Sequence, residues 1–309
     1  KFTTEIISLG ICNNNNMDFL SLLIIESFCL PTIGLVHKNA LKKVKNKALR
    51  LNKQEYLKIP SAFLAFLVGF IDGDGYIQIS KTTKGFISIK LVISLQLEDI
   101  STLEYIHSVL KFGKLNIYKD NKTPSCKLVI SRTDLQEILF PLLIHHNIFF
   151  LTKNRQAQFD LAMYIFKENI KIYNELPTKE KIPIVFKLPK RASDYLNLGF
   201  FKNWIVGFTA AEGSFYTSNN TGYFALRQKG RIELFEAFML LFTTEKKRLN
   251  ENNLYNLFVV SSRVDLDKVI NLFSFSGLHP LVGLKILQYF KWLEDLKNNS
   301  RYANLSFPK

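Results

Sequence analysis

The chain has 309 residues, 47% of them hydrophobic, which is enough apolar material for one large core or two ordinary ones. Basic side chains outnumber acidic ones by 41 to 26, and the resulting charge of +15 favours a polyanionic partner, either nucleic acid or an anionic membrane face. The scattered Cys12, Cys29 and Cys126 argue against a disulfide framework, and the apolar run Phe19 to Val36 is too interrupted to predict a membrane span.

A strongly basic segment precedes the first regular elements. Residues 38–58 contain eight basic side chains and one acid, a net charge of +7. Within them Ala40, Val44, Ala48 and Leu51 recur at helical spacing, which predicts a basic amphipathic helix in an extension over residues 1–60. Such a helix suits contact with RNA or a membrane, and equally suits packing on the main body. The candidates for nucleic-acid contact here are Lys42, Lys43, Lys45 and Lys47.

The next elements alternate between helix and strand. "FLAFLVGFIDGDGYIQIS" is an apolar helix that runs into two acids and then into a strand. In "GFISIKLVISLQ" the apolar side chains fall on one face and Lys90, Ser94 and Gln96 on the other, as in an antiparallel strand with one face open. "EDISTLEYIHSVLKFG" predicts a helix, and "SRTDLQEILFPLL" predicts another in which Thr133 and Gln136 fit a capping box.

The same order of elements recurs later in the chain. "NWIVGFTAAEGSFYT" repeats the apolar helix that ends on an acid, 138 residues after the first (212 − 74). The text "SRxDL" also recurs, and three pairs keep an offset of 131 or 132: Gln96 and Gln228, Arg132 and Arg263, Lys153 and Lys285. The drop in offset places about six extra residues in the first hairpin. We therefore predict two related halves, 61–176 and 199–309, joined by a proline- and lysine-rich linker, 177–198.

Small residues recur at a spacing of four in both apolar helices. Gly69 and Gly73 have this spacing in the first helix, and Gly207 and Ala211 have it in the second. Such a stripe leaves a helix surface smooth, so that a second backbone can approach closely. We predict that the two helices pack on each other as a helix seam between the halves.

The seam would bring two acids together where the two helices end at their C-termini. Asp74 and Glu212 each end a helix and are followed by Gly75 and Gly213, which suit a left-handed helix stop. Carboxylates at helix C-termini repel the helix dipole and each other, and divalent cations such as Mg²⁺ relieve both effects. Metals held between paired carboxylates are also a device for hydrolysing phosphodiesters. The pair is therefore the predicted catalytic and metal-binding site.

These residues carry a resemblance to a known family. "LVGFIDGDG" at 67–75 and "IVGFTAAEG" at 205–213 resemble the paired motifs of single-chain LAGLIDADG proteins. The ending "SRYANLSFP" is similar to fungal mitochondrial intron-encoded members, in particular to maturases encoded in yeast cytochrome b introns. The resemblance implies an α+β fold of two pseudo-symmetric αββαββα halves whose antiparallel sheets form a saddle. It also implies that Asp74 and Glu212 are the catalytic acids and that the protein works in the mitochondrial matrix.

In this family the open sheet face follows a nucleic-acid groove, which matches the polar strand face described above. The resemblance thus implies a set of polar and basic contacts on the strands and their ends. The candidates are Gln78, Lys90, Ser94, Gln96, Lys114, Asn116, Lys127, Gln228 and Lys229.

Three functions remain open at this point. The first is an RNA maturase that binds and stabilises a group I intron to promote its splicing, with a protein splicing co-factor as a further partner. The second is a Mg²⁺-dependent homing endonuclease that cuts double-stranded DNA. The third is a non-catalytic RNA-binding protein of a ribonucleoprotein. Ala210 stands where Asp72 supplies an acid in the first motif, and no basic residue near the acid pair is identified from the text. These departures and the basic extension favour the maturase, acting as a monomer.

Overall fold

The structure is a computed structural model that describes residues 51–119, 122–229, 231–244 and 255–309. The run Phe19 to Val36 and the candidates Lys42, Lys43, Lys45 and Lys47 lie outside the described residues. Of the predicted basic helix over 38–58, the described part contains only the short helix α1, Lys53–Tyr56. Among the described helices, none is long and apolar enough to cross a membrane.

The first half alternates helices with a four-stranded sheet. Its strands are β1 (Gly75–Lys81), β2 (Ile87–Gln96), β3 (Lys114–Tyr118) and β4 (Ser125–Ser131), and all pairs are antiparallel in the order β1-β2-β4-β3. Its helices are α2 (Ser61–Asp74), α3 (Ile100–Leu110), α4 (Arg132–Asp134), α5 (Phe140–His145) and α6 (Lys153–Lys167).

The second half repeats the order with a described three-stranded sheet. Its strands β5 (Gly213–Ser218), β6 (Thr221–Gln228) and β7 (Asn256–Val260) are antiparallel in that order. Helix α7 (Ala192–Leu196) lies in the segment between the halves, and the helices of the second half are α8 (Phe201–Glu212), α9 (Ile232–Leu241), α10 (Arg263–Ile270) and α11 (Gly283–Lys297). Residues 245–254, between α9 and β7, lie outside the described part. The predicted α+β class with antiparallel sheets is confirmed.

The first hairpin is longer than the second, as predicted, but by five residues between the equivalent pairs Gly75–Ile93 and Gly213–Leu226 and not by six. Residues 82–86 join β1 to β2, whereas only Asn219 and Asn220 join β5 to β6. Both asparagines have a positive φ, 48° and 57°, which matches the type I′ turn of a two-residue hairpin. In β2 the alternation is also as predicted, since Ile89, Leu91 and Ile93 are buried against the helices.

The repeated "SRxDL" text marks a helix start in each half. Ser131 accepts a hydrogen bond from the backbone N–H of Asp134, and Ser262 accepts one from Asp265. The predicted capping box at Thr133 and Gln136 is therefore wrong, because the helix begins at residue 132 and the capping serine precedes it. Both helices then widen into one π-helical turn, 135–139 and 271–275.

The segment between the halves packs more closely than a solvated linker. The Phe186 ring stacks on Phe149 with centroids 4.8 Å apart, and its carbonyl accepts a hydrogen bond from the Gln156 amide. Val185 N–H donates to the Asp160 carboxylate at 3.1 Å, and the Tyr195 ring is fully buried. The prolines and lysines thus connect short stretches that contribute apolar side chains to the core.

Candidate functional site

The two motif helices, α2 and α8, touch backbone to backbone. A methyl carbon built on Gly69 would lie 2.0 Å from the carbonyl oxygen of Trp204, and one built on Gly207 would lie 1.8 Å from that of Phe66. Further down, a methyl carbon on Gly73 would lie 2.4 Å from the Ala211 methyl. All four residues of the predicted helix seam therefore lie where the two helices meet, and two of them admit no side chain at all.

The predicted left-handed stops after the motif helices are wrong. Gly75 has φ −98° and ψ 169°, and Gly213 has φ −80° and ψ 155°, so each helix passes directly into an extended strand. The glycines serve a different purpose, which is steric. A side chain at Gly75 would meet Ile71 at 2.8 Å, and one at Gly213 would meet Thr209 at 2.5 Å, because the strand turns back over the last helical turn.

Asp72, the first acid of "DGDG", has a buried structural role. Its carboxylate accepts hydrogen bonds from the Leu151 N–H at 2.8 Å, the Thr152 N–H at 3.2 Å and the Thr152 hydroxyl. It also accepts one from the Trp204 indole N–H at 2.8 Å, across the seam. Burial raises the pKa of Asp72 to about 6, while these four donors favour its charged form. Ala210, its counterpart, therefore lacks a structural anchor rather than a metal ligand.

Asp74 and Glu212 form a coupled acid pair at the lower end of the seam. Burial and then repulsion from Glu212 raise the pKa of Asp74 to about 7. Burial also raises the pKa of Glu212, while a 2.7 Å hydrogen bond from the Gln228 amide opposes that rise. Both side chains keep partial access to solvent. A nearby positive charge would therefore stabilise the ionised forms of both carboxylates.

Two cations lie beside the acid pair, Arg155 from α6 and Lys285 from α11. The Lys285 ammonium donates to the Gly213 carbonyl and to Gln288, and Arg155 donates to the Ile71 carbonyl at 3.3 Å. Both act electrostatically on both acids, with attraction that lowers the pKa of each acid. Sequence reasoning missed these residues because it looked for a basic group near the "SRxDL" text.

The signal that could have found them is the helix register. Lys285 pairs with Lys153 at the sequence offset of 132, but Lys153 is exposed. Counted from the first residue of each helix, Arg155 in α6 and Lys285 in α11 both occupy the third position. Arg155 and Lys285 are therefore equivalent by their position within the helix, and not by the sequence offset of 132.

The start of α11 is held by the first half of the chain. Asp99, in the turn after β2, accepts hydrogen bonds from the Leu284 N–H at 2.9 Å and the Thr102 hydroxyl at 2.8 Å. Gly283 has φ +59°, and a side chain there would collide with Asp99 and Thr102. Because Lys285 follows directly, this contact fixes the helical turn that carries the cation.

The nucleic-acid candidates of the first half share the open face of its sheet. Cross-strand pairs join Gln78 to Lys90, Ser94 to Lys127 and Lys127 to Asn116. The candidates on this face are Gln78, Lys90, Ser94, Gln96, Lys114, Asn116 and Lys127. Neighbours such as Ile77, Leu91 and Ile93 are buried on the opposite face, so a single ligand on the open face could meet the candidates together.

The candidates of the second half lie elsewhere. Gln228 is turned toward Glu212 and belongs to the acid site, while Lys229 is exposed just beyond β6. Gly75 pairs with Ile93 in the first sheet, and its counterpart Gly213 pairs with Leu226 in the second. Ile93 and Leu226 are therefore equivalent, and their numbers differ by 133. The predicted equivalence of Gln96 and Gln228 is therefore one residue out of register.

The donor set suits Mg²⁺. Within the described residues, no group of three or more histidine, cysteine, aspartate or glutamate side chains could hold a metal ion. Mg²⁺ is commonly held by one or two carboxylates, with water and substrate phosphates completing its shell, so Asp74 and Glu212 fit it. Burial is the first cause of the raised pKa of each acid, and a divalent cation held between them would favour their charged forms.

Comparison with known proteins gives related sequences among intron-encoded endonucleases. Residues 67–174 match the family model of LAGLIDADG endonucleases. The "Probable intron-encoded endonuclease 4" of Neurospora crassa is 26% identical over 261 residues, covering 80% of this chain and 42% of that protein. The "Probable intron-encoded endonuclease aI3" of Kluyveromyces lactis is 25% identical over 265 residues, covering 73% and 63%. The chain thus spans less than two thirds of the length of these curated relatives.

Solved structures share the fold. The LAGLIDADG meganuclease I-AabMI bound to uncleaved DNA has a TM-score of 0.55 and 25% identity, covering 75% of this chain and 89% of that one. I-SmaMI, bound to an uncleaved DNA target in the presence of calcium ions, has a TM-score of 0.56 and 17% identity, covering 76% and 90%. The latter likeness shows the fold alone. The predicted resemblance to LAGLIDADG proteins is confirmed, whereas the likeness to cytochrome b intron maturases stays a prediction.

Proposed function

We propose that the protein is a homing endonuclease that cuts double-stranded DNA. Residues 67–174 match the family model of LAGLIDADG endonucleases, and the fold is that of LAGLIDADG meganucleases. The observation that carries the proposal is the acid pair with its two flanking cations. The sequence favoured a maturase on three grounds: an acid was missing, no basic residue was identified near the acid pair, and a basic extension was present. The buried hydrogen bonds of Asp72, and the positions of Arg155 and Lys285 beside the acids, support the endonuclease against the first two grounds.

The residues of the site divide the work of phosphodiester hydrolysis. Asp74 and Glu212 would hold Mg²⁺, which at such a site activates a water molecule and stabilises the leaving oxygen. Gln228 keeps the Glu212 carboxylate oriented through its 2.7 Å hydrogen bond. Arg155 and Lys285 would stabilise the negative charge that builds on the phosphate during attack. The open face of the first sheet would hold the duplex through its lysines and amides.

The test is cleavage of intronless exon-junction DNA in the presence of magnesium. Asp74→Asn with Glu212→Gln removes both negative ligands while nearly preserving shape, so cleavage should vanish and DNA binding should persist. Lys114→Gln is the matched control, since it neutralises one sheet-face charge away from the acids and should weaken binding only. Full cleavage by the double variant would refute the assignment.

A second candidate, an RNA maturase, is favoured by the basic segment 38–58 and its net charge of +7. Such a protein would stabilise the intron fold, and the splicing chemistry would remain with the RNA. We would compare splicing rate against magnesium concentration for the acid-neutralised protein and for a variant with Lys42, Lys43, Lys45 and Lys47 changed to glutamine. A maturase should tolerate the first change and lose activity with the second. Any role would be expected in mitochondria, on the family resemblance.

A further inference from the structure

The two helices that carry the flanking cations share one further residue type. Gln158 in α6 and Gln288 in α11 both occupy the sixth helical position, three residues after Arg155 and Lys285 respectively. Residues three apart lie on the same side of a helix, so each glutamine lies beside the cation of its own helix. The numbers of the glutamines differ by 130 (288 − 158), as do those of the cations (285 − 155). A cation followed by a glutamine therefore recurs as a unit in the two halves.

Each glutamine accepts a hydrogen bond from the cation beside it. The Lys285 ammonium donates to Gln288 Oε1 at 3.1 Å, and Arg155 Nη1 donates to Gln158 Oε1 at 3.5 Å. The second contact is long for a hydrogen bond, so Gln288 holds its cation more tightly than Gln158 does.

Gln158 also ties its helix to the strand that follows Asp74. Its Oε1 accepts a hydrogen bond from the Ile77 N–H at 3.0 Å. Ile77 lies in β1, which is an edge strand of the first sheet, so a side chain from a neighbouring helix can reach this backbone group. Through Gln158, the helix that carries Arg155 is fixed to the strand that begins next to the acid.

The groups that hold the two cations are uncharged. Among the described residues, all hydrogen-bond acceptors of Arg155 and Lys285 are neutral oxygen atoms, those of Ile71, Gly213, Gln158 and Gln288. Burial lowers the pKa of both cations, so each is partly removed from water and its N–H donors need acceptors. A neutral oxygen meets that need and leaves the positive charge intact, whereas a carboxylate at the same place would form an ion pair with the cation.

We propose that Gln158 and Gln288 are positioning residues, which hold Arg155 and Lys285 in place for the phosphate through an uncharged oxygen. Lysine and arginine side chains have several rotatable bonds and would otherwise sample many rotamers. A cation that is fixed before the substrate binds already lies where negative charge builds up during the reaction, and no reorganisation is then needed. This inference rests on the proposed endonuclease function and deepens it, since it adds two residues that act through the cations.

Gln288 is the better position for a test because it is exposed. Its hydrogen bond within the described residues is the one from Lys285, whereas Gln158 also accepts from a strand. An exposed substitution rarely changes stability much, so a loss of activity at Gln288 would not come from unfolding. A melting temperature near that of the native chain verifies this for each variant.

The experiment measures single-turnover cleavage of intronless exon-junction DNA with magnesium, and binding of the same DNA without magnesium. Gln288→Ala should slow cleavage by roughly ten- to hundred-fold, since a misplaced group costs this much, and should leave affinity within about two-fold. Gln288→Glu keeps an acceptor but pairs the Lys285 charge, and should slow cleavage to a similar extent; Gln158→Glu should do the same through Arg155. Gln136→Glu is the matched control, because it adds the same charge at an exposed glutamine of another helix and should cut at the native rate.

The hold on the ammonium has a second readout, which does not depend on cleavage. In ¹⁵N NMR of the free chain, Lys285 should give an ammonium signal whose protons exchange slowly with water, identified by its absence in Lys285→Ala. That signal should be lost in Gln288→Ala and retained in Gln136→Glu.

A slowly exchanging signal that persists in Gln288→Ala would overturn the proposal, as would native-rate cleavage by that variant. Weaker DNA binding at an unchanged cleavage rate would also overturn it, because Gln288 would then be a DNA contact. If the native chain cuts no DNA but loses the signal in Gln288→Ala, the endonuclease proposal fails and the hold of Gln288 on Lys285 stands.

Discussion

The contact between the motif helices makes one position unusually sensitive to a single methyl group. In Gly207→Ala the new carbon would lie 1.8 Å from the Phe66 carbonyl oxygen and 2.9 Å from the Phe70 nitrogen. Ordinary contacts between such atoms are about 3.5 Å, so the helices must part by more than about 1 Å. Because the obstacle is backbone on both sides, no change of rotamer can relieve it.

The cost should lie at the upper end of what overpacking produces. Forcing extra carbon into a packed core costs about 1–3 kcal/mol, and here the whole seam must separate. Alanine is the better helix former by about 1 kcal/mol, so any loss of stability cannot come from helix propensity. At roughly 2–4 °C per kcal/mol for a domain of this size, a loss of about 3 kcal/mol lowers the melting temperature by about 6–12 °C.

The assay is thermal unfolding followed by circular dichroism, with a matched glycine as control. Gly199 has no atom within 4 Å of the position where a side chain would begin, so Gly199→Ala makes the same chemical change without a contact. It should melt within about 2 °C of the native chain, since an open surface site rarely changes stability by more than about 0.5 kcal/mol. Equal melting temperatures for Gly207→Ala and Gly199→Ala would refute the close approach of the two helices.

Three further results are expected. Without magnesium, stability should fall as pH rises from about 4 to about 7, because folded Asp74 retains its proton to a pKa of about 7 while the unfolded chain releases it near 3.8. Asp74→Asn should flatten that slope and remove the rise in melting temperature on adding magnesium, and an unchanged rise would exclude Asp74 as a ligand. Burial lowers the pKa of His279 to about 4. The stability that neutral His279 contributes to the fold is therefore complete above pH 6.5 and is lost as pH falls toward 4. In urea titrations, His279→Gln should lose less unfolding free energy over this range than the native chain, by up to about 3 kcal/mol. Asp99→Ala should lose about 1 kcal/mol as a helix cap is removed, whereas Asp99→Asn keeps an acceptor and should melt closer to native; identical melts for the two would contradict the cap.

The helix seam and the acid pair were accessible from sequence because both depend on local spacing. A small residue every four positions lies on one side of a helix wherever that helix is placed. The period-two alternation of β2 likewise predicts a half-open sheet before any partner strand is known. Repetition of the whole pattern in the second half then supplied the pairing of Asp74 with Glu212.

The roles of the two acids in "DGDG" needed more than spacing. Asp72 and Asp74 are two residues apart and so point about 200° away from each other around the helix. One must face inward and the other outward, but the amino-acid sequence does not indicate which of the two acids has hydrogen-bond partners. The partners of Asp72 are Leu151, Thr152 and Trp204, between 79 and 132 residues away. Long-range contacts of this kind leave no periodic signal.

The two flanking cations were hidden for a related reason. Arg155 and Lys285 come from helices that follow each sheet, and their positions depend on where those helices begin. The sequence offset of 132 points to Lys153, which is exposed, whereas the first residues of α6 and α11 are 130 residues apart. The register of each cation along its helix becomes clear only once the first residue of the helix is known. That residue is set by capping contacts with distant parts of the chain, which the sequence does not reveal.

The capping contacts also explain how the halves can differ without losing the site. In the first half, the chain entering α6 is held by Asp72 of its own motif helix, whereas α11 in the second half is held by Asp99 of the first. Each helix that carries a cation is therefore anchored by a carboxylate, but both carboxylates belong to residues 61–176. The second motif can carry Ala210 because the anchor for its half comes from across the seam. It follows that Lys285 depends on the first half for its position, and we therefore expect the acid pair to act as one centre and not as two repeated ones.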